Sequence, residues 1–172
     1  MDREFAIFGG KKVAVTGDTV RIGDKAPNFR AVNNDLSVFD FYNDTSRKIK
    51  IISASPSLDT GTCSLQAAYF NEKAKELSGD VEIITVTVDL PFAQKRFCGA
   101  NDINNIRTVS DHRHLEFGDR FGLVLEGLRL LTRAVIIIDE DNIIRYVQHV
   151  YEVADEPDYD DVLEALKEIV EQ

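Results

Sequence analysis

A cysteine stands where an apolar run gives way to a helical pattern. Ile49-Lys50-Ile51-Ile52-Ser53-Ala54 is followed by Pro56-Ser57-Leu58-Asp59-Thr60-Gly61-Thr62-Cys63. Beyond it Leu65, Ala68 and Tyr69 fall at helical spacing, followed by Phe70, Ala74 and Leu77, so Cys63 is predicted in the first turn of a helix. The first amide N–H groups of a helix lack internal partners and carry the positive end of its dipole, which favours a thiolate there. Thiolate is the nucleophilic form. Pro56 and Gly61 bend the chain out of the strand, and the Thr60 hydroxyl is expected to donate to a sulfur anion or to a bound oxygen. The stretch reads as a cradle for a nucleophile, against the plainer reading of a buried, inert cysteine.

The rest of the chain must position that junction. At 172 residues it is expected to form one domain, 1–172, large enough for a core without disulfides or metals. Phe5–Phe8, Gly9-Gly10 and Lys11–Val15 are predicted as a hairpin running from Glu4 to Val15. A turn at Gly23–Asn28 leads to an extended piece, Phe29–Val32, and Ser37–Tyr42 reads equally as strand or as a single helical turn. Ile49–Ala54 is a strand, and its helix is expected to run to Leu77, where Ser78-Gly79 ends it. Val81–Val88 is β-branched almost throughout, the composition of a parallel strand buried on both faces. Pro91 suits a first helical position for a short helix, Phe92–Cys98, capped by Gly99. Ile106–Ser110 reads as a weak strand and His114–Phe121 as a short helix ended by Gly122. Arg133–Asp139 and Ile143–Val150 form a hairpin across Glu140-Asp141-Asn142, and Val162, Leu163, Leu166, Ile169 and Val170 make one stripe on a closing helix. This order suggests an α/β fold, with a mixed central sheet, helices on both faces and an N-terminal β-hairpin. The thioredoxin-like arrangement matches it.

Composition narrows the partners. Thirty acidic against twenty basic residues give a net charge of −10, which disfavours nucleic acid, because a phosphate backbone needs clustered Lys and Arg. Lys11-Lys12 and Arg47-Lys48 are only short basic pairs. No apolar run approaches a membrane span, and Met1-Asp2-Arg3-Glu4 lacks the basic start and apolar core of a signal peptide, so no membrane association and a cytoplasmic location are expected. Two cysteines in a reducing compartment are more often catalytic than structural.

Several separated motifs together resemble the peroxiredoxins, and within them the bacterial thiol peroxidases with two cysteines in one chain. Pro56, Thr60 and Cys63 match the pattern P-x-x-x-T-x-x-C, with Gly23-Asp24-Lys25-Ala26-Pro27-Asn28-Phe29 upstream. Asp89-Leu90-Pro91-Phe92-Ala93-Gln94-Lys95-Arg96-Phe97-Cys98, Arg133-Ala134-Val135 and Glu156-Pro157-Asp158-Tyr159 carry the likeness to the subgroup. The resemblance implies that Cys63 attacks a hydroperoxide and becomes a sulfenic acid, and that Cys98 condenses with it to an intrachain disulfide. It also implies that Thr60 orients the peroxide, Pro56 shields the thiolate from water and Arg133 supplies a fixed positive charge. Thioredoxin as reductant and a homodimer come with the same resemblance; no cofactor and no metal are expected. Read without it, Arg133 is a charged residue before a strand, equal in standing to Arg96, Arg107 or Arg129. Cys98 is then a buried apolar position beside Phe97. In many members a bulky apolar residue precedes the proline, whereas Ser55 does so here. Because a disulfide needs Cα atoms within about 7 Å, both cysteine-bearing helices are predicted to unwind in part when one forms.

Other readings of the motifs are weaker. Asp59-Thr60-Gly61 is the tripeptide of aspartic proteases, but those enzymes pair two such carboxylates and only one copy is present. His112-Arg113-His114 supplies two histidines where a structural zinc takes four ligands. The chain has no C-x-x-C, which disfavours a general disulfide oxidoreductase. A peroxide-responsive sensor or relay acting through a partner protein would use the same residues as a peroxidase. Turnover separates the two.

Overall fold

The computed structural model describes residues 5–45 and 49–171. Glu4 of the expected hairpin and the pair Arg47-Lys48 lie outside the described residues.

Seven strands form the central sheet, in the order β11-β10-β5-β6-β7-β3-β4. Its centre is built from β5 (Ile49–Ala54), β6 (Val81–Thr87), β7 (Arg107–Ser110) and β10 (Ala134–Ile138). β5, β6 and β7 are mutually parallel, and β10 runs antiparallel to β5. β11 (Ile144–His149), β3 (Arg30–Val32) and β4 (Val38–Asp40) complete the two flanks. Alternation along each strand sends Ile51, Ile83, Val135 and Ile137 to one face and Ile52, Ile84, Ala134, Ile136 and Ile138 to the other. Both sets are buried, which is why these segments read as continuous apolar runs.

Against the first face pack α2 (Gly61–Ala74) and α5 (Tyr159–Val170), through Phe70, Val162 and Leu166. Tyr69 of α2 stacks on Tyr159 of α5 with ring centroids 3.7 Å apart, pinning the two helices together. α5 begins at Asp158, whose carboxylate accepts from Asp161 N–H, with Asp160 and Asp161 in the first turn and Lys167 in the last. α3 (Pro91–Ala100) also lies on this face, since Gln94 and Cys98 meet Thr87 and Thr108 there. The opposite face is covered by an aromatic cluster in which the Phe29 ring meets Phe39, Phe41, Phe117 and Phe121, joining α1 (Phe41–Asp44) and α4 (Glu116–Phe121) to the sheet. Each fully buried Phe side chain stabilises the fold by about 1.5–3 kcal/mol.

A second sheet has the order β1-β2-β8-β9. Its hairpin, β1 (Phe5–Phe8) and β2 (Lys11–Thr16), turns at Gly9 and Gly10, both with positive φ, as expected. The short strands β8 (Val124–Leu125) and β9 (Leu130–Leu131) have no counterpart in the sequence reading.

The mixed sheet, the helices on both faces and the hairpin agree with the expected thioredoxin-like class. Ser37–Tyr42 is both things at once, a strand to Asp40 and then a helical turn. Several boundaries differ, most strands by a single residue at an end. α2 stops at Ala74 rather than Leu77, with Lys75 already the cap. α3 runs through Gly99 to Ala100, so Gly99 is inside the helix and Asn101 ends it. β7 begins at Arg107, and α4 begins at Glu116 because Leu115 before it is left-handed, with φ 53°.

Candidate active site

Cys63 is the third residue of α2, in the first turn as predicted, and is 1 % exposed. Thr60 is the N-cap in extended geometry, and its side chain makes no cap bond, so the amides of that first turn are not closed by it. The parallel pairing of β5 with β6 sets the carboxyl ends of the two strands side by side, and the loop carrying Pro56 to Thr60 leaves from there. Ligands in open α/β sheets bind at such ends.

The antiparallel register of β10 on β5 pairs Ala134 with Ala54, so Arg133, one residue before β10, arrives beside the start of that loop. Arg133 is 2 % exposed, and its guanidinium makes three hydrogen bonds. Nη2 donates to Cys63 Sγ at 3.3 Å, Nη1 to Gln66 Oε1 at 2.7 Å and Nε to the Val153 carbonyl at 2.9 Å. Gln66, one turn beyond Cys63 and also buried, is itself oriented by donating to Ser53 Oγ at 2.6 Å. A cation so deep needs paired acceptors to offset its desolvation, and two neutral oxygens and one sulfur provide them. The fork geometry of arginine allows one side chain to reach all three. Far from a solvated edge position, Arg133 places a buried positive charge beside Cys63 Sγ.

Pro56, Thr60, Gly61, Thr62 and Arg133 line a pocket of about 370 Å³, which is completed by Phe8 and Gly9 of the hairpin and by Val153 and Ala154. The segment after β11 is held in place from both sides. Thr62 Oγ1 donates to the Ala154 carbonyl at 2.9 Å, and Ile7 exchanges backbone bonds with Tyr151 and Val153. Pro56 is buried and forms wall, in keeping with a shielding position. The Thr60 hydroxyl donates to the Ser57 carbonyl at 3.0 Å. With its proton engaged there, the hydroxyl oxygen keeps lone pairs with which to accept.

Cys98 is half-buried on α3, and its Sγ lies 3.7 Å from Thr108 Oγ1. Thr108 donates its own proton to Asn34 Oδ1 at 3.2 Å, which makes the Cys98 thiol the donor in the sulfur contact. Burial pushes this thiol above its ordinary value. Both cysteines are free, and they keep separate company: Cys63 sits with Arg133, Cys98 with Thr108. Thus Cys63, Arg133, Thr60 and Pro56 come together in one place, and Cys98 has its own. Asp59 is exposed beside this loop, its N–H donating to Ser57 Oγ, while His114 lines a separate small cavity with Arg30 and Arg113.

Gln66, Val153 and the hairpin residues Phe8 and Gly9 were not singled out from sequence. Gln66 lies at helical spacing from Cys63, a signal available in principle. The others are brought in only by long-range pairing.

Comparison with known proteins agrees in family. Residues 21–163 match the Redoxin family. The chain is 46% identical over 160 residues to a thiol peroxidase of Halalkalibacterium halodurans, covering 93% of this chain and 95% of that protein. It is 44% identical over 163 residues to the thiol peroxidase of Bacillus subtilis, covering 95% and 96%. Among solved structures, a peroxiredoxin-like protein from Aquifex aeolicus superimposes with a TM-score of 0.88 at 35% identity, covering 96% of each chain. A thiol peroxidase from Chromobacterium violaceum gives 0.87 at 23% identity over 99% of each, a likeness of fold.

Proposed function

The chain belongs to the thiol peroxidases of the Redoxin family, and from that membership we propose that it reduces hydroperoxides through Cys63, with Cys98 as the resolving thiol. The observation that carries the reading is the Arg133 guanidinium held against Cys63 Sγ at the start of α2, on the edge of an open pocket. Sulfur attack on a peroxide needs electron density on sulfur and a stabiliser for the charge that develops on the departing oxygen. A buried arginine supplies a preorganised positive charge for both. The Cys63 thiolate attacks one oxygen of R–O–O–H, the O–O bond breaks, and the departing RO⁻ takes a proton to leave as R–OH. Sulfur gives up two electrons and becomes Cys63–SOH. Thr60 accepts from the peroxide O–H and sets its direction, and Pro56 keeps water from the sulfur.

The Cys98 thiol then attacks Cys63–SOH, forming the disulfide and releasing one water. Each sulfur has its own partner, Cys63 with Arg133 and Cys98 with Thr108, and in this reading the first turn of α2 and part of α3 unwind as the disulfide forms. A dithiol reductant returns two electrons and two protons and restores both thiols. Thioredoxin is the reductant we assign, a homodimer the assembly, one domain the organisation and the cytoplasm the location. No helix among the described residues is long and apolar enough to cross a membrane.

The test is rapid mixing with hydrogen peroxide, with thioredoxin and its reductase recycling the product. Wild type turns over many times. Cys63→Ser consumes none, and Cys98→Ser reduces one equivalent and then stalls or over-oxidises to the sulfinic acid. Oxidation once without turnover in the wild type would instead mark a sensor.

A further inference from the structure

Asp89 lies in the turn between β6 and α3, bonded directly to the loop before Cys63 and, through Thr87, to the helix that carries Cys98. Its Oδ1 accepts from Ser57 Oγ at 2.6 Å. Its Oδ2 accepts from Leu58 N–H at 2.8 Å and from Thr87 Oγ1 at 2.8 Å. Through Ser57 the same carboxylate reaches the peroxide loop, because Asp59 N–H donates to Ser57 Oγ and Thr60 Oγ1 to the Ser57 carbonyl. Through Thr87 it reaches the other helix, because Gln94 Nε2 of α3 donates to Thr87 Oγ1 at 3.0 Å and to the Val109 carbonyl at 2.9 Å. The Asp89 carbonyl takes a short bond from Ser110 Oγ, anchoring the turn from which α3 starts. Hydrogen bonds to a carboxylate are the stronger kind.

We propose that Asp89 is a positioning residue, a latch that holds the Ser57–Thr60 loop and the start of α3 in the peroxide-reducing arrangement, so that the two segments are released together. The proposal rests on the reading that Cys63 and Cys98 join in a disulfide. The N-cap of α2 makes no side-chain cap bond, and neither does Leu90, the N-cap of α3. Gln94 is fully buried, yet its Oε1 has no partner, so α3 is seated with one polar group unsatisfied. Asp89 and the Thr87 hydroxyl are thus shared by the two segments, beside the ties that each has alone: Arg133 to Cys63 and Gln66 for α2, the Val109 carbonyl and Thr108 for α3. Loss of the latch favours the unwound state, in which the resolving thiol meets the sulfenic acid, and disfavours the folded state, in which peroxide is reduced. The two chemical steps must move in opposite directions, which a general loss of stability does not produce.

The experiment compares wild type, Asp89→Ala and Asp89→Asn, the last keeping shape and one acceptor oxygen. Amide hydrogen exchange is followed in 57–63, 91–98 and, as reference, 159–170. Cys63 oxidation by hydrogen peroxide and the fraction reaching sulfinic acid at excess peroxide are measured on the same proteins. The expected result for Asp89→Ala is exchange about tenfold or more faster in 57–63 and 91–98 together and unchanged in 159–170. Cys63 oxidation is slower and the sulfinic fraction lower, with Asp89→Asn between the two. Faster exchange in only one of the paired segments, an equal rise in 159–170, or an unchanged oxidation rate overturns the proposal. A wild-type chain that forms no Cys63–Cys98 disulfide overturns the role given to Cys98, and the exchange pattern still decides whether Asp89 couples the segments.

Discussion

Replacing Arg133 with lysine keeps the charge and destroys the fork, and so isolates geometry. In the native side chain three nitrogens serve Cys63 Sγ at 3.3 Å, Gln66 Oε1 at 2.7 Å and the Val153 carbonyl at 2.9 Å. A lysine ammonium on a flexible stem takes the two oxygens at most, since they are the better acceptors, and leaves sulfur without its directed donor. A hydrogen bond involving a charged group contributes about 1.5–3 kcal/mol, and each 1.36 kcal/mol is tenfold in rate, so the second-order rate of Cys63 oxidation should fall roughly 10- to 100-fold. If one carbonyl also loses its donor, folding is weakened by about 1–3 kcal/mol. For a chain of this size that lowers Tm by roughly 2–12 °C. The chain contains no tryptophan, so the assay is rapid acid quench and mass spectrometry of Cys63 against hydrogen peroxide, with a thermal melt alongside. Arg133→Lys oxidising within threefold of wild type would show that charge alone suffices and that the hydrogen bond to sulfur is incidental.

Other consequences are as direct. The Cys98 thiol is pushed up by burial in the intact α3, so disulfide formation is expected to follow opening of the helix. Its rate after one equivalent of peroxide should inflect near the free-thiol value of about 8.5; an inflection well above that would show reaction from the folded helix. Asp111, 1 % exposed under α4, is pushed up by burial to about 6 although Phe117 and Gly118 N–H donate to it. A carboxyl raised from 3.8 to about 6 favours folding while protonated, in full below pH 4, and loses that contribution as pH rises through 6. The stability of Asp111→Asn relative to wild type should therefore improve by up to about 3 kcal/mol between pH 4 and pH 7, and denaturant melts giving a flat difference would refute it. Gly122 ends α4 at φ 67°, and a Cβ there would press into the Asp18 carbonyl, so Gly122→Ala should lower stability by about 2 kcal/mol or more in the same melts.

Local signals carried most of the secondary structure. The apolar runs of β5, β6 and β10 are long, and the turns at Gly9-Gly10, Pro91 and Gly122 have their own chemistry. β8 and β9 escaped because each is two residues long and exists only by pairing, Val15 with Leu125 and Val124 with Leu131. In the site, Cys63 and its helix start were legible from adjacent residues. Arg133 was not distinguishable from other arginines without the family likeness, since its partners lie 70, 67 and 20 residues away in sequence. The bond from the Thr60 hydroxyl to the Ser57 carbonyl was not legible for a related reason: that carbonyl comes within reach only once the loop has closed into its turn.

The pairing of Ala134 with Ala54 makes the position of the guanidinium a matter of counting along the ladder. Insertion of a single residue within β10 would invert every side chain upstream of it and point residue 133 away from the sulfur. Extra residues in the 140–142 turn would leave the distance from Ala54 to Ala134 untouched. Length variation among natural variants should accordingly be tolerated at that turn and excluded from the strand, whatever the hydrophobicity of the inserted residue.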